Sequence, residues 1–165
     1  MRLNISSARL MVAVLIIAAM TGSFTFADSP DACLLLTQAQ VSGAVGVAFG
    51  AGTHVTPEFL QTCTWTPTTS PKDIKAVTLN IQPGDTYDSS KKHVELAATA
   101  VKGTQVKPTN GIGDDAYYMT TGPGIMQLFF KKETLAFKIA IYGAISPEKA
   151  MAVEKTLALE VISKL

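Results

Sequence analysis

The apolar residues of this chain follow three patterns, and each predicts a different kind of element. From Leu10 to Met20 they run almost unbroken, after a start that carries Arg2 and Arg9 and no acidic group. Thr25-Phe26-Ala27 then sets small residues two apart, just before polar Asp28-Ser29-Pro30. A positive start, an apolar run of about ten and a small-x-small exit are the pattern of a secretory signal peptide over residues 1–27. The alternative is an uncleaved anchor. A membrane span needs about twenty apolar residues, and counting on to Ala27 reaches that only by including Thr21, Gly22, Ser23 and Thr25. A lipid anchor would require a Cys directly after a small residue at the end of the run, and the first Cys is Cys33. The mature chain is therefore expected to be periplasmic or secreted, with no stable membrane anchor after cleavage.

Beyond the leader, apolar residues recur either every three to four positions or every second one. Val41, Ala44, Val45 and Ala48 keep helical spacing. Ahead of them Thr37-Gln38-Ala39-Gln40 reads as a capping box, with Leu36 and Val41 placed to close a hydrophobic staple. Thr62-Cys63-Thr64-Trp65-Thr66 alternates as a half-buried strand does, and so do Val77, Leu79 and Ile81 with Thr78 and Asn80. Together these predict a hairpin with Cys63 beside Trp65 on its buried face.

Pro83-Gly84-Asp85 turns the chain, and Thr86 or Asp88 is placed to cap a helix ending before Gly103. Its inward stripe is Tyr87, Val94, Ala97, Ala98 and Val101. A turn around Asn110-Gly111-Ile112-Gly113-Asp114 leads to strands over 116–120, 125–131 and 134–142, reversed at Thr121-Gly122-Pro123-Gly124 and near Lys132-Glu133. Ser146-Pro147-Glu148 opens the last helix, with proline at a first position where a missing N–H costs nothing. Ala150, Val153, Leu157, Ala158, Val161 and Leu165 form its inward stripe, and Glu160 and Lys164 sit four apart outside. The order α-β-β-α-β-β-β-α predicts a single α+β domain over 28–165. Its sheet is mostly antiparallel, of about five strands, with helices packed against it. Hairpin then helix occurs over 62–101 and again over 125–164, an echo of architecture only.

Charge narrows the partners. Cleavage removes both arginines, leaving twelve lysines, thirteen carboxylates and two histidines. Arginine is the usual bidentate reader of phosphate and guanine, and nucleic-acid affinity scales with clustered positive charge. No nucleic acid is expected as a partner. About 140 residues bury roughly two-thirds of their unfolded surface, enough for one core. Cys33 and Cys63 are the only cysteines, and an even pair in an exported chain predicts a disulfide. A redox or nucleophilic cysteine would want Cys-x-x-Cys spacing or a nearby base, and neither is visible in the sequence.

Asp31-Ala32-Cys33-Leu34-Leu35-Leu36-Thr37, Cys63-Thr64-Trp65 and Gly111-Ile112-Gly113-Asp114-Asp115-Ala116 occur in that order before a closing helix. In this the chain resembles a family of small exported bacterial proteins of unknown function, many of them actinobacterial lipoproteins. The resemblance spans nearly the whole mature chain and implies helices on an antiparallel sheet, a fold that hosts binding modules more often than enzymes. It supplies no catalytic residues. The chain departs from the lipoprotein members in lacking their lipidation cysteine, so lipid attachment is not carried over.

The remaining chemistry reads mostly as structure. Gly111-x-Gly113-x-x-Ala116 matches a dinucleotide fingerprint only superficially, because strand rather than helix follows. His54 and His93 lie 39 positions apart without the spacing or cysteine partners of a zinc site. Asp85 with Asp88, and Asp114 with Asp115, lack the spaced oxygens of a calcium loop and read as turn and cap chemistry. There is no Gly-x-Ser-x-Gly elbow. Carboxylates paired for glycoside chemistry meet in space, so the sequence leaves them open. No cofactor or metal is expected.

In a strand, neighbours face opposite sides, so one residue each of Tyr117-Tyr118 and Phe129-Phe130 points away from the core. An outward aromatic either marks a contact surface or packs under a helix on the other face. With Trp65, the candidate contact residues are Tyr117, Tyr118 and Phe129. The expected function is an exported, non-catalytic binding or interaction domain for an unknown protein or small ligand of the cell envelope. The alternative is a hydrolase-like enzyme with a site assembled from distant loops.

Protein recovered from the envelope fraction should begin at Asp28. Intact-mass measurement or N-terminal sequencing decides this, and a chain still starting at Met1 would overturn it.

Overall fold

The helix starts signalled most clearly in the sequence fold as written. The computed structural model describes residues 29–69, 73–121 and 125–165. The leader with its cleavage site and the reversal at Gly122-Pro123-Gly124 lie outside the described residues. Asp31 caps a one-turn helix, α1 (Ala32–Leu35), by accepting the Cys33 N–H. Thr37 and Gln40 form the reciprocal capping box of α2 (Gln38–Val45), which ends on Gly46 in the left-handed region. Such a cap stabilises by about 1 kcal/mol.

Seven strands follow among the described residues, rather than about five: β1 (Thr53–His54), β2 (Thr62–Trp65), β3 (Ile74–Pro83), β4 (Gln105–Thr109), β5 (Asp115–Thr121), β6 (Ile125–Lys132) and β7 (Leu135–Gly143). They form one antiparallel sheet in the order β1-β2-β3-β7-β6-β5-β4. The two strands that sequence patterning missed are its edges. β1 has two residues, and β4 carries Pro108 with Val106 as its one large aliphatic, so neither shows alternation. The other helices are α3 (Gly84–Ala100) and α4 (Pro147–Ile162). With α1, the observed order is α-α-β-β-β-α-β-β-β-β-α.

Cross-strand register sorts the side chains into two faces, because directly paired residues share a face. One row crosses all seven strands: His54, Cys63, Leu79, Ile139, Leu128, Tyr118 and Lys107. Trp65, Val77 and Ile141 form a shorter parallel row. This is the core face, covered by α1, α2 and α4, and its aliphatic and aromatic members are buried. The Cys33–Cys63 disulfide ties α1 to β2 across 30 residues of sequence. Closing a loop of that length stabilises by roughly 3–4 kcal/mol in the chain-entropy model.

α3 crosses the opposite face. It begins at Gly84, earlier than either expected cap, with Pro83 at the cap position and no side-chain cap bond. A Cβ on Gly84 would lie 2.8 Å from the Thr134 carbonyl oxygen, so this start is a close backbone approach. Thr86 donates to the Pro83 carbonyl, and Asp88 pairs with Lys131. Of the expected inward stripe only Tyr87 is fully buried, over Tyr117 and Ala136; Val101 is exposed. The helix therefore buries its first turn most completely, while Val94, Ala97 and Ala98 are half-buried. In α4, Glu160 accepts from Gln40 of α2, and Lys164 reaches Gln40 and the Leu34 carbonyl, so the expected i,i+4 pair is spent on neighbouring helices.

The turn before β5 explains its glycines. Gly111 and Gly113 have φ of 77° and 58°, and the Asp114 N–H donates to the Lys131 carbonyl. A Cβ on Gly111 meets nothing, whereas on Gly113 it would fall 2.2 Å from the Lys131 oxygen. Gly111→Ala should cost about 1–2 kcal/mol, the price of the left-handed conformation alone. Gly113→Ala should cost clearly more, because β6 must also move. Urea denaturation of the two variants checks the order, and equal losses would show that the close approach carries no energy.

Candidate functional site

The core face is only partly roofed, and its open end is a cavity of about 410 Å³. Register places its floor: Lys107 and Gln105 on β4 pair with Tyr118 and Thr120 on β5, and Met126 on β6 pairs with Thr120. Pro147 and Met151, one turn apart at the start of α4, form the roof, and Gly103 closes the α3–β4 corner. The Tyr118 hydroxyl donates to the Met151 carbonyl at 3.1 Å, joining floor to roof at the inner end. The wall is therefore mainly thioether and phenol ring, with Lys107, Gln105 and Thr120 at the strand side. The volume falls within the range of small-molecule sites, which typically pair apolar lining with a few polar groups.

Three residues along α4 from Met151 stands a carboxyl in the core. Glu154 is completely buried, and neither oxygen has a hydrogen-bond partner of good geometry among the described residues. Burial pushes its pKa from 4.5 to about 8; the backbone amide of Ile141, beyond the last β6–β7 pair, opposes this only in part. At neutral pH the group is mainly the uncharged acid. Tyr118 is raised to about 12, first by burial and then by Glu154. The inward stripe read from the sequence passed over Glu154, although it lies four residues after Ala150 and three before Leu157. Helical position was the available signal, and residue type hid it.

The four candidate contact residues are largely inside. Trp65 is buried completely beside the disulfide, where a Cβ on Gly52 would lie 2.7 Å from its indole nitrogen. Tyr117 is also fully buried, stacked on Phe129 at 5.0 Å and tilted against Tyr87 of α3 at 5.5 Å. Phe129 is half-buried in that cluster. These three offer little free surface: Trp65 packs into the core face, and α3 covers Tyr117 and Phe129. Tyr118 alone borders an opening, as the cavity wall.

Of the acidic residues singled out in turns, Asp88, Asp114 and Asp115 are engaged with lysines. Asp114 accepts from Lys132 and from the Glu133 N–H, which pins Glu133 at a φ of 55°. Asp115 pairs with Lys91 at 2.6 Å. Burial works to raise the Asp115 pKa, and Lys91 outweighs it and holds the carboxyl below its usual value. His93 is exposed on α3. His54, by contrast, meets Asp31 at 2.7 Å, close to Cys33. The nearby base that linear spacing did not reveal is therefore present in space.

Among the described residues, no helix is long and apolar enough to cross a membrane. Compared with protein-family models, curated proteins and solved structures, the chain matches none.

Glu154 makes stability depend on pH in a known direction. Its folded value of about 8 exceeds its unfolded value of about 4.5, so the native state holds this proton more tightly. The contribution is intact below the unfolded value and is lost as pH rises toward and through about 8. Glu154→Gln removes the titration and should flatten the fall in stability across that window, by on the order of a few kcal/mol. Denaturant midpoints of both proteins across the window check this, and parallel profiles would refute it.

Proposed function

We propose that this protein is an exported, non-catalytic binding domain that takes a small apolar ligand, or the apolar end of a larger one, in the Tyr118 cavity. The observation that carries the reading is the cavity itself: one end of the core face left open between β4–β6 and the first turn of α4. Met126 and Met151 suit it to apolar shapes, since thioether side chains adapt to irregular surfaces. The Lys107 ammonium at the strand side favours a ligand with an anionic group near its apolar part. The lining holds no carboxylate or imidazole among the described residues, so the hydrolase alternative finds no acid–base pair there. Export rests on the leader pattern and agrees with the disulfide. The resemblance to exported bacterial proteins points the same way, and the partner is sought in the cell envelope.

Anilinonaphthalene sulfonate joins fused aromatic rings to an anion and is the probe of choice. Its fluorescence should rise saturably with the folded protein. Met151→Trp, which fills the cavity from the roof, should weaken binding at least about tenfold, or 1.4 kcal/mol. Lys107→Glu should weaken it less, and Phe59→Ser, at an exposed residue outside the cavity lining, should leave it unchanged. Binding indifferent to Met151→Trp would end the proposal.

A further inference from the structure

The edge of the sheet opposite the cavity gathers four side chains whose atoms bind transition metals. Asp31 stands at the cap of α1, Cys33 within it, His54 on β1 and Cys63 on β2. His54 and Cys63 are direct partners in the ladder and so share the core face. One oxygen of Asp31 accepts the Cys33 N–H at 2.8 Å and meets His54 Nε2 at 2.7 Å. Donor atoms of Asp31, Cys33 and His54 all lie within 4.8 Å of one another, and the Cys63 sulfur is bonded to that of Cys33. Asp31, Cys33 and His54 are half-buried, so an ion has a route in from solvent.

We propose that, once the disulfide is reduced, Cys33, Cys63, His54 and Asp31 bind one Zn²⁺. Two thiolates, an imidazole and a carboxylate are a donor set that tetrahedral zinc accepts, at about 2.3 Å to sulfur and about 2.0–2.2 Å to nitrogen or oxygen. In the disulfide the sulfurs carry no charge and are poor ligands, so the oxidised protein lacks the site. The reductant is a dithiol. Its thiolate attacks one cystine sulfur, the mixed disulfide resolves, and the reductant leaves as its own disulfide, having given two electrons and two protons to the protein. Zn²⁺ then displaces the two thiol protons as the Zn–S bonds form.

Only local movement is required. Cys63 is held against Gly52, where a Cβ would lie 2.5 Å from its sulfur, whereas Cys33 is half-buried and has room to turn outward. The His54–Asp31 pair must open slightly to admit the ion. Their present contact at 2.7 Å shows that the carboxylate and the imidazole already converge on one point. The ion would join α1 to β2 as the disulfide does, so this corner has two alternative clasps selected by thiol redox state.

The full mature domain, reduced with a dithiol and desalted without oxygen, is titrated with Zn²⁺ against a chromophoric chelator. One equivalent should bind to the reduced protein and none to the oxidised. Co²⁺ in place of zinc should give thiolate-to-metal charge-transfer absorption. His54→Ala and Asp31→Ala should each weaken binding at least about tenfold, and His93→Ala should have no effect. Zinc should raise the melting temperature of the reduced protein by mass action. Should reduction alone unfold the domain, zinc must restore the emission of buried Trp65; uptake without that recovery would count against the site. Equal uptake by oxidised and reduced protein, or indifference to His54→Ala, would overturn it.

Discussion

Strands in a sheet lie about 4.8 Å apart and a helix is about 10 Å across, so one helix covers roughly two strands. A seven-stranded sheet therefore demands more helix than a chain of this length supplies, and the rest of the structure follows from how the shortage is distributed. On the core face α1 lies over β2 and β3, α4 lies over β6 and β7, and α2 packs against the flank of α4. Among the described residues that leaves β5 and β4 to the N-terminal part of α4, and the cavity is what remains. On the other face α3 is the single helix among the described residues, and it buries Tyr87 of its first turn on Tyr117 and Ala136. The sheet edges are blunted by chemistry instead of cover. β1 is two residues long, and β4 places Pro108, with no N–H to offer, where another strand would dock.

How much of this was legible depended on whether the signal was local. The capping box at Thr37, the Ser146-Pro147 start and the strand over 134–142, found as β7, are local statements, and they fold as read. The α+β class and the pairing of Cys33 with Cys63 follow from pattern and count. What escaped was decided by neighbours. β1 and β4 exist because a finished sheet offers them partners; neither His54 nor Pro108 announces a strand. α3 starts at Gly84 because the Thr134 carbonyl passes too close for a side chain, which no propensity encodes. The aromatic pair Tyr117-Tyr118 was correctly split between faces, but which faces were covered depended on where the helices landed.

Site chemistry was less legible than fold, for the same reason. Asp31 and His54 are separated by 23 residues and meet only because α1 and β1 both border β2. The cavity lining comes from three strands, a loop and a helix, and no linear motif spans it. The long row from His54 to Lys107 joins these places structurally. It begins at the disulfide corner, passes through Leu79, Ile139 and Leu128, and ends in the cavity floor. Its central members are completely buried aliphatics, so the disulfide corner and the cavity floor are held apart by a packed centre.

Within that design Glu154 is the residue that the packing pattern alone would not choose. A leucine there would continue the stripe of Ala150, Leu157 and Val161 and remove the cost of burying a carboxyl without a good partner. The cost is not spread across the molecule. Glu133, the other irregular acidic residue, has its backbone strain met by a hydrogen bond to Asp114. Glu154 has no comparable compensation, and it lies less than one helical turn from Met151, whose carbonyl receives the Tyr118 hydroxyl. Departures from consistent packing tend to be retained at functional positions. Here the departure lies three residues from Met151 of the cavity wall, where an uncharged acid at neutral pH leaves no charge on the buried side of α4 at that point. Ionisation would place a charge behind Tyr118 and work against the same packing that shapes the cavity.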